Sequence, residues 1–132
     1  MVMAVNMQVN LGGLVMANPV TDASGTFAAG REYSDFVNVA GMGAVTTKGV
    51  SLNGWEGNES PRIAETPSGM LNSIGLQNPG VKHLCEVDLP WLKSQGVPAI
   101  VNDATCAPAD VVRNSGSAVR LPTIVKIGRA HV

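Results

Sequence analysis

The chain has 132 residues, of which 45% are hydrophobic and 14% charged, and its formal net charge is −1. That length suits one small domain, and that composition excludes a disordered tail. With no basic run and no apolar run near the ~20 residues of a membrane helix, neither nucleic-acid binding nor membrane insertion is expected. The opening MVMAVNMQVN lacks the basic start and long apolar middle of a secretory signal. The two cysteines, Cys85 and Cys106, show no CxxC spacing and no adjacent histidine pair. A metal site is therefore not expected, and a reduced cytoplasmic setting is.

Residues 7–20, MQVNLGGLVMANPV, read as two short strands turning at Gly12-Gly13, since paired glycines supply the positive φ of a tight hairpin. Residues 20–25, VTDASG, read as a short strand ending in small residues. In residues 30–40, Tyr33, Phe36, Val37 and Val39 recur at helical spacing and predict a helix, ended by Gly41-Met42-Gly43. Residues 44–50, AVTTKGV, are β-branched and short, as a buried strand is. Residues 51–67 read as a long polar loop. Residues 80–95 predict a helix with Val81, Leu84, Cys85, Leu89 and Leu92 inward and a break at Pro90. Residues 98–102, PAIVN, read as another buried strand. This alternation predicts parallel βαβ units. Beyond it the period weakens, with a helix start at 109–112 and a strand at 122–126 as the remaining candidates.

Three polar clusters follow three predicted strands: Ala23-Ser24-Gly25, Thr47-Lys48-Gly49 and Asn102. In α/β barrels the loops at that end of the strands converge on one mouth. A lysine at a buried strand end calls for an anion or carbonyl to pair with, and a neighbouring glycine lets a ligand approach the backbone. A solvated lysine is the alternative for Lys48, and a plain strand-to-helix turn for Ser24 and Gly25. The stretch GMLNSIGLQNPG, residues 69–80, carries too much glycine for a plain strand and too many apolar residues for a plain turn. Asn72 could cap a local turn, Asn102 could be structural, and Asn78-Pro79-Gly80 reads as the turn into the next helix. His83 reads as an exposed helix residue and Cys85 as core.

The segments ASGTF, GREY, TTKG, PRIAETPSGMLNSIGLQNPG, LPWL and PAIVN together resemble the catalytic subunit of NAD-linked dihydroorotate dehydrogenases, over about residues 8–102. The resemblance implies an α/β fold: the N-terminal half of a TIM (β/α) barrel, preceded by a short β-hairpin. It implies FMN as cofactor and oxidation of dihydroorotate to orotate in pyrimidine biosynthesis. It implies an oligomeric intact protein and an electron-transfer partner subunit carrying FAD and an iron–sulfur cluster. By motif, Ser24, Lys48, Gly49 and Asn102 would bind FMN. Lys48, Asn72, Ser73, Ile74, Gly75 and Leu76 would bind substrate. The residue types suit a carboxylate on a ring of amides: lysine supplies charge, and asparagine and loop N–H groups supply directed hydrogen bonds. The flavin domain of dihydropyrimidine dehydrogenases is the rival family, disfavoured by GREY and NSIGLQNPG. A non-catalytic product is the rival of another class.

The sequence also departs from that pattern. A complete barrel takes ~250 residues. The family's catalytic cysteine sits in a motif like NxSCPN, which is absent here, and Cys106 follows Asn102 too closely to replace it. The chain reads Asp103-Ala104-Thr105 where a glycine is usual. Residues 122–126, PTIVK, resemble a later family strand ending in a flavin-contacting lysine, here Lys126, but only across a large deletion. The final IGRAHV is what ATC GGA AGA GCA CAC GTC encodes, a string resembling a sequencing adapter. The expected organisation is thus 1–102 barrel, 103–126 a divergent and frameshifted tail, and 127–132 adapter-derived residues, so that His131 carries no role and the isolated chain is inactive.

Overall fold

The computed structural model describes residues 5–102. The elements expected at 109–112 and 122–126, the tail segments 103–126 and 127–132, and Cys106, Lys126 and His131 lie outside the described residues.

Strands β1 (Val9–Leu11) and β2 (Leu14–Met16) pair antiparallel around Gly12 and Gly13. Those glycines have φ of +58° and +99°, as a two-residue primed turn demands. The Asn10 side chain supports the turn by accepting the Gly13 N–H at 2.8 Å. The hairpin is the one expected from the Gly-Gly pair.

The central layer is parallel. Strand β3 (Val45–Thr46) pairs with β6 (Ala99–Ile100), and Thr21 bridges to Ala44 on the other side of β3. The spatial order Thr21, β3, β6 follows the chain order, as successive β–crossover–β units do. A barrel would begin in this way, but the described residues form three two-stranded sheets and no closed barrel. The strand expected at 20–25 shrinks to the one bridge at Thr21. There the Asp22 carboxylate takes over the ladder, accepting the Thr46 N–H at 2.6 Å, and the chain then coils into α1 (Ser24–Phe27).

One helix covers a face of this layer. It runs through α2 (Val81–His83), a π turn (Leu84–Asp88) and α3 (Leu89–Ser94). The break expected at Pro90 is instead a widening. Proline lacks the N–H and crowds the carbonyl four residues back. The turn before it therefore opens, with Leu89 N–H donating to Leu84 O. Leu84, Leu89 and Leu92 join Val45, Ala99 and Val101 in one buried cluster. On the opposite side, Ala44 and Ile100 cluster with Leu14 and Met16 of the hairpin. Burial on both faces explains why the parallel strands read as continuous apolar runs.

Two expectations fail. Residues 30–40 form two 3-10 turns, Arg31–Tyr33 and Val39–Gly41, not a helix. Tyr33, Phe36 and Val37 are 42%, 85% and 41% exposed, so of the expected stripe Val39 alone reaches the core and a short helix has little packing to stabilise it. The Ser34 hydroxyl meanwhile donates to Arg31 O, competing with a helical continuation. The loop expected at 51–67 contains β4 (Ile63–Thr66), which pairs antiparallel with β5 (Gly69–Asn72). All eight residues of this hairpin are exposed. No one-sided burial imposes the period-2 alternation that reveals a strand in sequence. No helix of the described residues is long and apolar enough to cross a membrane.

Candidate active site

A cleft of about 880 Å³ opens at the carboxyl ends of the parallel strands. Its walls come from α1, the segment after β3, the 55–56 and 74–79 loops, and the start of the long helix. Three expected site residues line it together: Ser24, Lys48 and Ile74. Ser24 arrives there because the chain turns helical immediately after the Thr21 bridge. Lys48 arrives there because β3 is buried through Thr47 and emerges at residue 48, where the side chain is half-buried.

Gly49 and Asn102 form a second cluster beside the cleft. A Cβ on Gly49 would lie 3.2 Å from Asn102 Nδ2 and 3.5 Å from Leu76 Cδ1. Glycine therefore lets three predicted site residues from three chain segments meet. The buried Thr47 anchors the arrangement: its N–H donates to Ile100 O at 2.9 Å, and its hydroxyl accepts the Asn102 N–H at 3.3 Å.

The 72–76 loop is locally braced. Asn72 Oδ1 accepts the Ile74 N–H at 3.0 Å, which is the turn-capping use weighed from sequence. Asn72 itself lies at the end of the exposed strand β5. Of residues 72–76, Ile74 is the one lining the cleft. The loop is strapped to residues 55–62: Asn58 N–H donates to Ile74 O at 2.9 Å and Ser73 N–H to Arg62 O at 2.8 Å. Asn78 is a buried hub. Its Oδ1 accepts from Ser51 N–H at 2.9 Å and Gly80 N–H at 3.0 Å, and its Nδ2 donates to Leu76 O at 2.8 Å.

Sequence reasoning missed Trp55, Tyr33, Gln77 and Asp88, which also line the cleft. None sits at a strand end, and the helical spacing that marks Tyr33 points to packing rather than to a site. His83 is exposed as expected, yet its Nε2 stands 3.6 Å from Asp88 Oδ1. The π turn explains the pair, since a wider turn stacks residues five apart. Burial raises the pKa of Asp88 and His83 opposes that rise; Glu32 adds to it, while Arg31 acts against it. Among the described residues, no group of three or more histidine, cysteine or acidic side chains could hold a metal ion.

Asp22 carries the other perturbed carboxyl below the site. Burial raises its pKa, against the lowering effect of the Thr46 N–H. Its Oδ2 is buried with no hydrogen-bond partner. An acid whose pKa rises on folding binds more protons in the folded state, so its charged form weakens the fold above the raised pKa and ceases to do so as pH falls. Asp22→Asn keeps the acceptor for Thr46 N–H and removes the charge. The expected result is a gain of less than about 1 kcal/mol at pH 7 that shrinks toward acidic pH, read from urea midpoints at both. An equal gain at both pH values would contradict the titration argument.

The model of the family described as dihydroorotate dehydrogenase matches residues 6–121. The catalytic subunit named dihydroorotate dehydrogenase B (NAD(+)) of Alkaliphilus metalliredigens is 55% identical over 100 residues, covering 76% of this chain and 33% of that protein. The protein of the same name from Lachnoclostridium phytofermentans is 57% identical over 97 residues, covering 74% of this chain and 32% of that protein. The Pelobacter propionicus counterpart is 45% identical over 119 residues, covering 90% of this chain and 39% of that protein. The chain thus spans about a third of the length of the curated relatives it matches. With a family match across 6–121 and strand-end residues gathered at one cleft, the chain belongs to the dihydroorotate dehydrogenase family.

Proposed function

We propose that this chain carries part of the FMN and substrate sites of an enzyme that oxidises dihydroorotate to orotate in pyrimidine biosynthesis. The observation that supports it most is the meeting of Ser24, Lys48 and Ile74 in one cleft, with Gly49, Asn102 and Leu76 clustered beside it. Those groups fit a flavin: a cation, a hydroxyl, an amide and a backbone stretch bare enough for close approach. Ser24, Lys48, Gly49 and Asn102 would hold the FMN, which when bound accepts the hydride leaving the substrate. Lys48 binds the substrate carboxylate through its ammonium group. The 72–76 loop, including Asn72, Ser73, Gly75 and Leu76, presents N–H and amide groups to the ring and keeps water from that face. Removal of the substrate proton falls to a cysteine in a motif this chain does not contain, so the chain alone does not turn over. The intact protein is a cytoplasmic oligomer that works with an electron-transfer subunit carrying FAD and an iron–sulfur cluster.

The test is an amide-resolved NMR titration of the 132-residue chain with FMN and then orotate. Shifts are expected at Ser24, Lys48, Gly49 and 72–76, and none in the Val9–Met16 hairpin. No shifts at the cleft would overturn the proposal. Dihydroorotate oxidation by the chain itself would overturn the assignment of proton removal to an absent group.

A further inference from the structure

We infer that Asn58 is a positioning residue that holds the 72–76 loop in its ligand-facing shape, an inference that rests on the substrate role proposed for that loop. Asn58 lies outside the cleft wall and grips the loop from behind at two successive residues. Its backbone N–H donates to Ile74 O at 2.9 Å. Its side-chain Nδ2 donates to Ser73 O at 2.8 Å and stands 3.3 Å from Ser73 Oγ. Two glycines make this grip sterically possible. Gly57 has φ of +89°, and a Cβ there would collide with Ile74 O. Gly75 has φ of +81°, and a Cβ there would lie 2.9 Å from Trp55 Cη2 and 3.3 Å from Asn58 Nδ2. Both glycines thus serve the same contact, in which the 55–58 segment presses on the loop that carries Ile74 into the cleft.

The other outside ties hold the ends of the loop: Ser73 N–H donates to Arg62 O and Asn78 Nδ2 to Leu76 O, each at 2.8 Å. The loop follows the exposed strand β5, and Asn72 braces it only from within. The carbonyl tied down at Ser73 fixes the peptide whose Ile74 N–H holds Asn72 Oδ1, and the carbonyl tied down at Ile74 fixes the direction of the Gly75 N–H. A ligand that uses the Asn72 amide and the Gly75 N–H then meets them already ordered, which is where preorganisation gains affinity. Flavin contacts expected at Ser24, Lys48 and Gly49 lie on other segments and do not pass through Asn58.

The experiment compares the unsubstituted chain with Asn58→Ala and Asn58→Gln by amide exchange and by NMR titration with FMN and orotate. Asn58→Ala is expected to speed exchange at Ile74 and Gly75 by about tenfold and to weaken orotate by about tenfold, the effect of losing one net hydrogen bond. FMN affinity should stay within about twofold, and Asn58→Gln, which keeps the amide donor, should recover most of the orotate loss. A merely structural residue would lower both affinities together. Unchanged exchange, parallel loss of both ligands, or no recovery by Asn58→Gln would each overturn the positioning role. Failure of the unsubstituted chain to bind orotate would instead overturn the proposed function, a result independent of the exchange rates.

Discussion

Replacing Lys48 with alanine should weaken orotate binding by about tenfold to a hundredfold, the range for losing a hydrogen bond to a charged partner. Lys48 is the single cation among the expected site residues that line the cleft. It is half-buried where β3 emerges, while Thr47 before it is fully buried and hydrogen-bonded to Ile100. The ammonium is thus delivered by a rigid strand end rather than by a loop, and its truncation should leave the backbone in place. Lys48→Arg keeps the charge but changes its shape, so it should recover only part of the affinity. Orotate titrations of the three proteins, read on the cleft resonances, give the answer. Equal affinity across the set would remove Lys48 from the ligand site, and a shifted urea midpoint for Lys48→Ala would expose a structural role instead.

What could be read from sequence follows burial. The β3 and β6 segments pack on both faces, so Ala44-Val45 and Ile100-Val101 announced themselves as apolar runs. The long helix announced itself through Leu84, Leu89 and Leu92, which all face the same cluster. The 30–40 segment misled because Tyr33, Phe36 and Val37 are largely exposed, Phe36 above all, and Val39 alone of the spaced set is buried, so the periodicity carries little energy. The β4–β5 hairpin was hidden for the opposite reason: it forms through local pairing while burying neither face. Among the residues that line the cleft, Ser24 and Lys48 stood out in the sequence because strand ends are marked by the strands before them. Asn58 and Asn78 were not legible as organisers, because their partners lie 15 and 27 residues away in loops without a period. Gly57 and Gly75 were the visible trace of that organisation, but a glycine in sequence does not say what presses against it.

The largest stability loss should come from Asn78→Ala, at about 3 kcal/mol. Asn78 is 6% exposed and joins three places in the chain. Its Oδ1 satisfies Ser51 N–H and Gly80 N–H, its Nδ2 satisfies Leu76 O, and the Ser51 hydroxyl lies against both ends of the amide, at 3.2 and 3.1 Å. Alanine leaves two N–H groups and one carbonyl without these partners at once, and each such loss in a buried setting costs about 1–3 kcal/mol before any water enters. Backbone bonds of the same residue, Asn78 N–H to Trp55 O at 2.8 Å and Trp55 N–H to Asn78 O at 2.9 Å, would remain. The junction cannot close up around the missing amide. Gly54 and Gly80 already pass so tightly that a Cβ on Gly80 would lie 2.8 Å from Gly54 N. Because Gly80 leads into α2, the loss should propagate to the helix start, where Val81 N–H donates to Ser51 O at 3.0 Å. Urea unfolding should show a lower midpoint at unchanged slope, the sign of a native state weakened rather than a denatured state altered. Asn78→Asp separates the two halves of the amide: it keeps an acceptor for both N–H groups but sets a carboxylate against Leu76 O. Its loss should be largest at neutral pH and diminish as the new carboxyl protonates and becomes a donor. A change below about 0.5 kcal/mol for Asn78→Ala, the scale of an ordinary surface substitution, would mean that water replaces the amide and the hub holds nothing together.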